Sequence, residues 1–275
     1  MTAGPATATA STSTSASDVA STSDTASTPD SADRVDRIDL WTIPTDQPDE
    51  VVRSLRSLLD RDELARATGR GPARDPVAGR RFTVVHGVVR LLVAERLGLH
   101  PAELAWRYGP HGKPEPAVGH ERVGVSYSGS GALAVLALTA GRPVGVDVEE
   151  VHDARVATRV AERYFPGAEA EFLARSASPA VLAERFTTLW CRREACVKAY
   201  GGRLVQGFGL PLAGPAPLRL AHPGTLGEGP CLLDDVPVPG PFRAAVAVLG
   251  EQPFRLRRHR WKALSEACQP FWQRN

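Results

Sequence analysis

Residues 77–97 carry Phe82, Val85, Val88, Val89, Leu92 and Val93 at the three- and four-residue spacings of one helix face. Gly98 follows where a helix commonly stops. This is the longest periodic segment of the chain. Before it, residues 38–43 alternate apolar and polar like an edge strand. Residues 48–68 read as one helix, with Val51, Val52, Leu55, Leu58 and Leu59 on a single face. After it come strand-like segments at 104–107, 123–126, 133–138 and 143–148, the middle two forming a hairpin through residues 128–131. Helical patterns then occupy 154–164, 168–174 and 181–200, and further strands follow, including 242–249 and 254–258. This order predicts an α+β fold in two halves of similar make-up, divided near residues 141–143. The expected organisation is a tail over 1–35, halves over 36–141 and 142–250, and an extension over 251–275. That extension ends in a tryptophan-containing segment, 261–272, expected to pack back on the body.

Composition excludes several classes. Hydrophobic residues make up 43% of the 275, enough for a sizeable core. No run approaches the ~18 consecutive apolar residues of a membrane span. Residues 1–33 are nearly all Ala, Ser, Thr and Asp, with no basic residue before Arg34. Such a tail cannot bury enough surface to offset its chain entropy, so it reads as disordered. It also lacks the basic start and apolar run of a secretory signal. Four scattered cysteines, Cys191, Cys196, Cys231 and Cys268, are too few for a disulfide scaffold and lack zinc-site spacing. The formal charge of +2 argues against a nucleic-acid-binding surface. Setting aside the tail's four aspartates leaves 33 basic and 27 acidic residues, a +6 excess that suits an anionic ligand or an acidic partner.

Three stretches stand out. In Gly145-Val146-Asp147-Val148-Glu149-Glu150, Asp147 and Glu149 lie two apart at a strand end and share a face. Two adjacent carboxylates repel unless a cation sits between them, and Mg²⁺ commonly takes one or two carboxylates plus phosphate oxygens; solvated strand-end acids are the plainer reading. In the helical 181–200 segment, Trp190, Glu194 and Lys198 repeat at i, i+4, i+8. Glu194 and Lys198 are either a simple surface pair or the holders of a metal and a phosphate. Lys113 is one of only three lysines, set in the turn Gly112-Lys113-Pro114. Ser126, Tyr127 and Ser128 are expected to end a strand and enter a glycine turn, offering hydroxyls and backbone N–H groups to an anion.

Taken in order, Gly-Lys-Pro, Ser-Tyr-Ser, Gly-Val-Asp-Val-Glu and Trp-x-x-Arg-Glu-Ala-x-x-Lys closely resemble the 4′-phosphopantetheinyl transferase family. The match covers roughly residues 37–250 and is to the larger Sfp-type members, which carry two pseudo-symmetric α/β halves in one chain with the active site in the cleft between them. The resemblance implies transfer of the phosphopantetheine arm of coenzyme A, the substrate, to a serine of an apo acyl or peptidyl carrier protein, with release of adenosine 3′,5′-bisphosphate. It implies Mg²⁺ held by Asp147, Glu149 and Glu194. Glu194 would also deprotonate the carrier serine, directly or through water, and Lys198 would touch the phosphate. Lys113, Pro114, Ser126 and Tyr127 would hold the adenosine and its 3′-phosphate, with Arg66 and Arg81 adding positive charge. A cytoplasmic monomer serving polyketide or non-ribosomal peptide synthases is expected, with no nucleic-acid or membrane partner.

Three departures qualify the resemblance. Tyr127 stands where the family turn has a histidine, and a tyrosine cannot become cationic near neutral pH. Arg193 replaces a lysine before Glu194. Residues 201–204 depart from the usual Gly-x-Gly-Leu ending. The competing reading is a non-catalytic relative that binds coenzyme A or a carrier, and Tyr127 alone favours it.

Overall fold

A computed structural model describes residues 35–69 and 75–263. The Ala/Ser/Thr-rich tail and most of the 261–272 segment lie outside the described residues. Two four-stranded sheets form the body. The first contains β1 (Asp36–Pro44), β4 (Gly124–Ser130), β5 (Leu133–Thr139) and β10 (Phe254–Arg260), in the order β10-β1-β5-β4. The second contains β6 (Val144–Glu150), β7 (Leu218–Leu220), β8 (Cys231–Val236) and β9 (Phe242–Leu249), in the order β6-β9-β8-β7. A small pair, β2 (Trp106–Tyr108) and β3 (Pro114–Pro116), lies apart from both.

Side-chain alternation along the strands builds three apolar layers. Leu133, Val135 and Ala137 on one face of β5 meet Val146, Val148, Ala244 and Val246 of the second sheet. Ala134, Leu136 and Leu138 on the opposite face pack under α3 (Pro76–Leu97), against Val84, Val88 and Leu92. Beyond the second sheet, Ala245 and Ala247 of β9 pack against α6 (Pro179–Tyr200), through Leu189, Ala195 and Cys196. The result is helix, sheet, sheet, helix. β5 is buried on both faces, which is why it reads as an unbroken apolar run.

Both long helices are punctuated as their sequences direct. Asp75 caps α3, Pro76 occupies its first turn, and Gly98 ends it with φ 71°. Ser178, Pro179 and Gly201 do the same for α6. The single helix expected over 48–68 is two, α1 (Asp49–Arg56) and α2 (Arg61–Thr68). The break is a capping box. Asp60 Oδ1 accepts from the Glu63 N–H at 2.9 Å, and Glu63 Oε2 accepts from the Asp60 N–H at 3.1 Å. β1 is interior rather than an edge, because β10 covers its other side in parallel register. Trp261, just past β10, is buried against the α3 layer. The remaining helices are α4 (Ala154–Tyr164), α5 (Gly167–Ala174) and the short α7 (Leu204–Gly207).

Candidate active site

The two sheets meet where β4 lies beside β6, and serine hydroxyls make the seam. The Val146 N–H donates to Ser126 Oγ at 3.0 Å, and the Glu150 N–H donates to Ser130 Oγ at 3.1 Å. Between them Ser128 Oγ donates to Asp147 Oδ1 at 2.7 Å. The partners advance together along both strands, so β4 and β6 run parallel. The strand runs further into the expected 128–131 turn than the sequence suggested. Ser126, Tyr127 and Ser128 sit within β4, paired with β5, and the reversal comes at Gly131, φ 54°. Their backbone N–H groups do not form an open anion nest.

Asp147 is 2% exposed. Its Oδ1 also accepts from Lys198 Nζ at 2.6 Å, while its Oδ2 is buried without a hydrogen-bond partner among the described residues. Lys198 Nζ further donates to Ser128 Oγ at 2.9 Å. The helical spacing of Glu194 and Lys198 made them candidates for a pair, but Lys198 bonds Asp147 instead. Gly145 makes this reach possible. A Cβ there would lie 1.9 Å from the Ala195 carbonyl oxygen and 2.4 Å from the Ala199 nitrogen, so only glycine lets α6 approach β6 so closely.

Glu149 and Glu194 complete the acidic group. Burial pushes the Glu194 carboxyl above its usual range, Lys198 draws it back, and Asp147 and Glu149 add repulsion. Burial likewise raises Glu149; a Ser130 hydrogen bond opposes this and Asp147 adds to it. No set of three or more acidic, histidine or cysteine side chains among the described residues already stands in metal-holding geometry. The orphaned Asp147 oxygen and the mutual repulsion of three carboxylates nevertheless fit a hard divalent cation.

The nucleotide candidates are less uniform. Lys113 is not a solvated turn lysine. Its Nζ donates to the carbonyls of Val144 at 3.0 Å and Ala199 at 3.3 Å, tying its loop to β6 and α6. Burial lowers its pKa to about 8. Pro114 opens β3, opposite Tyr108. Ser126 is spent on the seam. Burial raises the Tyr127 hydroxyl. Arg66 of α2 lies over the Phe82 ring at 5.1 Å, and Arg81 is exposed near the start of α3. Arg193 faces away from the site. It is fully buried, bonded to Glu169 Oε2 at 2.7 Å, with its guanidinium over Phe165. A second buried cluster, Glu63, His86 and Arg90, has no counterpart in the sequence reading; its one legible sign was the Asp60–Glu63 capping spacing.

Residues 143–222 match the profile of the 4′-phosphopantetheinyl transferase superfamily. The 4′-phosphopantetheinyl transferase HetI of a Nostoc species is 32% identical over 221 residues, 78% of this chain and 90% of that protein. The Synechocystis protein slr0495, whose name carries the same activity as a provisional assignment, is 31% identical over 173 residues, 62% of this chain and 67% of its own. The chain belongs to the 4′-phosphopantetheinyl transferase superfamily and is a transferase of that class. Its mixed α and β architecture is that of the family. No described helix is long and apolar enough to cross a membrane.

Proposed function

We propose that this enzyme moves the 4′-phosphopantetheine arm of coenzyme A onto a serine hydroxyl of an apo acyl or peptidyl carrier protein, releasing adenosine 3′,5′-bisphosphate. The observation that carries the reading is Asp147, buried beside Glu149 and Glu194, with one oxygen on Lys198 and Ser128 and the other unpartnered. Asp147, Glu149 and Glu194 would hold Mg²⁺. When bound, Mg²⁺ supplies Lewis-acid neutralisation of pyrophosphate charge. Lys198, now bonded to Asp147, offers its ammonium to the transferring phosphate. Glu194, raised by burial, is the candidate acceptor of the carrier serine proton. The clamped Lys113 fixes the loop that would flank the adenosine.

The carrier surface we propose is α4, which begins four residues after β6 ends. Arg155, Arg159 and Arg163 repeat at i, i+4, i+8 and are all exposed. None of them has an ion pair among the described residues. Val156 and Tyr164 beside them are 43% and 40% exposed. A basic row edged with apolar groups suits an acidic amphipathic helix. The protein acts as a monomer on polyketide or non-ribosomal peptide carriers in this reading.

Incubation with an apo-carrier, coenzyme A and Mg²⁺ tests it. The carrier should gain about 340 Da, the gain should vanish with chelator, and Asp147→Asn should lose it without unfolding. Wild-type turnover by folded Asp147→Asn would remove Asp147 from the metal set.

A further inference from the structure

Strand β10 covers β1 and leaves its own outer edge open, since no strand pairs with it there among the described residues. It reads Phe-Arg-Leu-Arg-Arg-His-Arg, and Arg255, Arg257, Arg258 and Arg260 are all exposed. Side chains alternate across the sheet. Phe254 and Leu256 pack into the layer between the two sheets, which puts Arg258 and Arg260 on that face. His259 stacks on Trp41 of β1, centroids 4.3 Å apart at 16°, which puts Arg255 and Arg257 on the other. The backbone alternates too. The Asp36 N–H donates to the Pro253 carbonyl at 3.0 Å, and the Trp261 N–H donates to the Thr42 carbonyl at 2.9 Å. The odd-numbered residues of β10 therefore turn their backbone groups to β1, and Leu256, Arg258 and Arg260 turn theirs outward.

The charge along this edge is not compensated. Arg257 Nε lies 3.9 Å from Asp39 Oδ1, and that oxygen is already 2.8 Å from His259 Nε2. Arg255, Arg258 and Arg260 have no ion pair among the described residues. Arg37 of β1 stands beside Arg255 in the register, also exposed and also without an ion pair among the described residues. Like charges on neighbouring strands repel. Charges along an open edge keep copies of a chain from pairing edge to edge. That repulsion excludes a second copy as occupant and favours a segment of opposite charge.

The distribution of the arginines narrows the class of partner. A membrane surface or a helix laid on the sheet meets one face, and needs arginines on one face only. A strand added to the edge presents side chains to both faces, and β10 offers arginines on both. A phosphate backbone supplies acceptors alone and leaves the outward carbonyls unmatched. An added strand brings both N–H and C=O groups. We propose that the outer edge of β10 is a docking site for an acidic, extended segment of a partner protein, which adds to the first sheet as a further strand. The outward backbone groups of Leu256, Arg258 and Arg260 pair with it, and its carboxylates meet the arginines on both faces. Strands β1 and β5 separate this edge from β4, so its occupation leaves the Asp147 site open.

Fluorescence anisotropy on the full chain tests this. The probe is a short labelled peptide of glutamate and threonine, with glutamates at both odd and even positions. Controls carry a central proline, or glutamine in place of glutamate. Both controls should bind about tenfold more weakly, since one loses the ladder and the other the charge. Arg255→Gln/Arg257→Gln and Arg258→Gln/Arg260→Gln should each weaken the parent peptide about tenfold, because the arginines of both faces take part. Neither pair should change carrier modification, which also reports that the variants fold. Reversal of Arg155, Arg159 and Arg163 on α4 should leave peptide binding unmoved. Carbon-13 carbonyls in the bound peptide should show the infrared band of a paired strand. No binding of the parent peptide, equal binding of the proline peptide, or binding lost through only one arginine pair overturns the proposal. So does displacement of the peptide by heparin or anionic vesicles at lower concentration than by unlabelled peptide, which would assign the patch to a phosphate- or sulfate-bearing surface.

Discussion

Gly145→Ala is the sharpest perturbation the fold offers. The added methyl would sit 1.9 Å from the Ala195 carbonyl oxygen and 2.4 Å from the Ala199 nitrogen. Both are backbone atoms of α6, so no rotamer change relieves the clash. The helix must withdraw by roughly 1.6 Å to reach the ~3.5 Å of ordinary contact. Overpacking of this kind costs about 1–3 kcal/mol. The same withdrawal carries Lys198 and Glu194 away from β6, where Lys198 Nζ now lies 2.6 Å from Asp147. A ~1 Å misplacement at a reacting centre costs about 100-fold in rate. Urea unfolding should therefore show a lowered midpoint, and intact-mass measurement of the carrier should show turnover down about 100-fold. Gly209→Ala is the control, since a Cβ there meets nothing within 4 Å. A Gly145→Ala enzyme with wild-type midpoint and rate would refute the claim that close β6–α6 contact builds the site.

Lys113→Met should change the pH dependence of stability. The buried ammonium has a pKa of about 8, below its unfolded value of 10.5, so the folded state binds this proton more weakly. The penalty is fully present below about pH 8 and is lost as pH rises through about 10.5. Wild-type stability relative to Lys113→Met should climb across that window in urea titrations. Glu169→Ala strands Arg193, which is fully buried, and should cost about 3–5 kcal/mol in the same assay. Reversing Arg155, Arg159 and Arg163 to glutamate should raise the carrier KM about tenfold, with the coenzyme A KM unchanged, since exposed pairs contribute up to ~1 kcal/mol each. An unaltered carrier KM would move the docking face off α4.

Local signals were the most legible. Gly98 ends the first long helix where its pattern placed the stop, while the two helices begin at Pro76 and Pro179, one and two residues before the starts their patterns marked. Asp147 and Glu149 share a strand as their spacing required. What the sequence hid was mostly long-range. β1 looked like an edge because its covering strand is contributed from beyond residue 250. Lys198 had an acid one helical turn away, yet bonds one 51 positions distant, because Gly145 removes the obstacle between helix and sheet. Nothing local in the Lys113 turn signals its burial against two backbone carbonyls. The break at Asp60 was legible as a capping box but was masked by an apolar stripe that runs unbroken across it. The hairpin turn expected over 128–131 is narrower than read, since Ser128–Ser130 still pair with β5 and the reversal comes at its last residue, Gly131.

The parallel pairing of β1 with β10 has a consequence for how this chain is made. A ribosome delivers β1 early and β10 more than two hundred residues later, so Ile38 and Leu40 wait with one flank of their strand unpaired through most of synthesis. The amino-terminal sheet cannot be completed as a unit while the chain is still emerging, and a truncation before Phe254 would strip the strand that closes it.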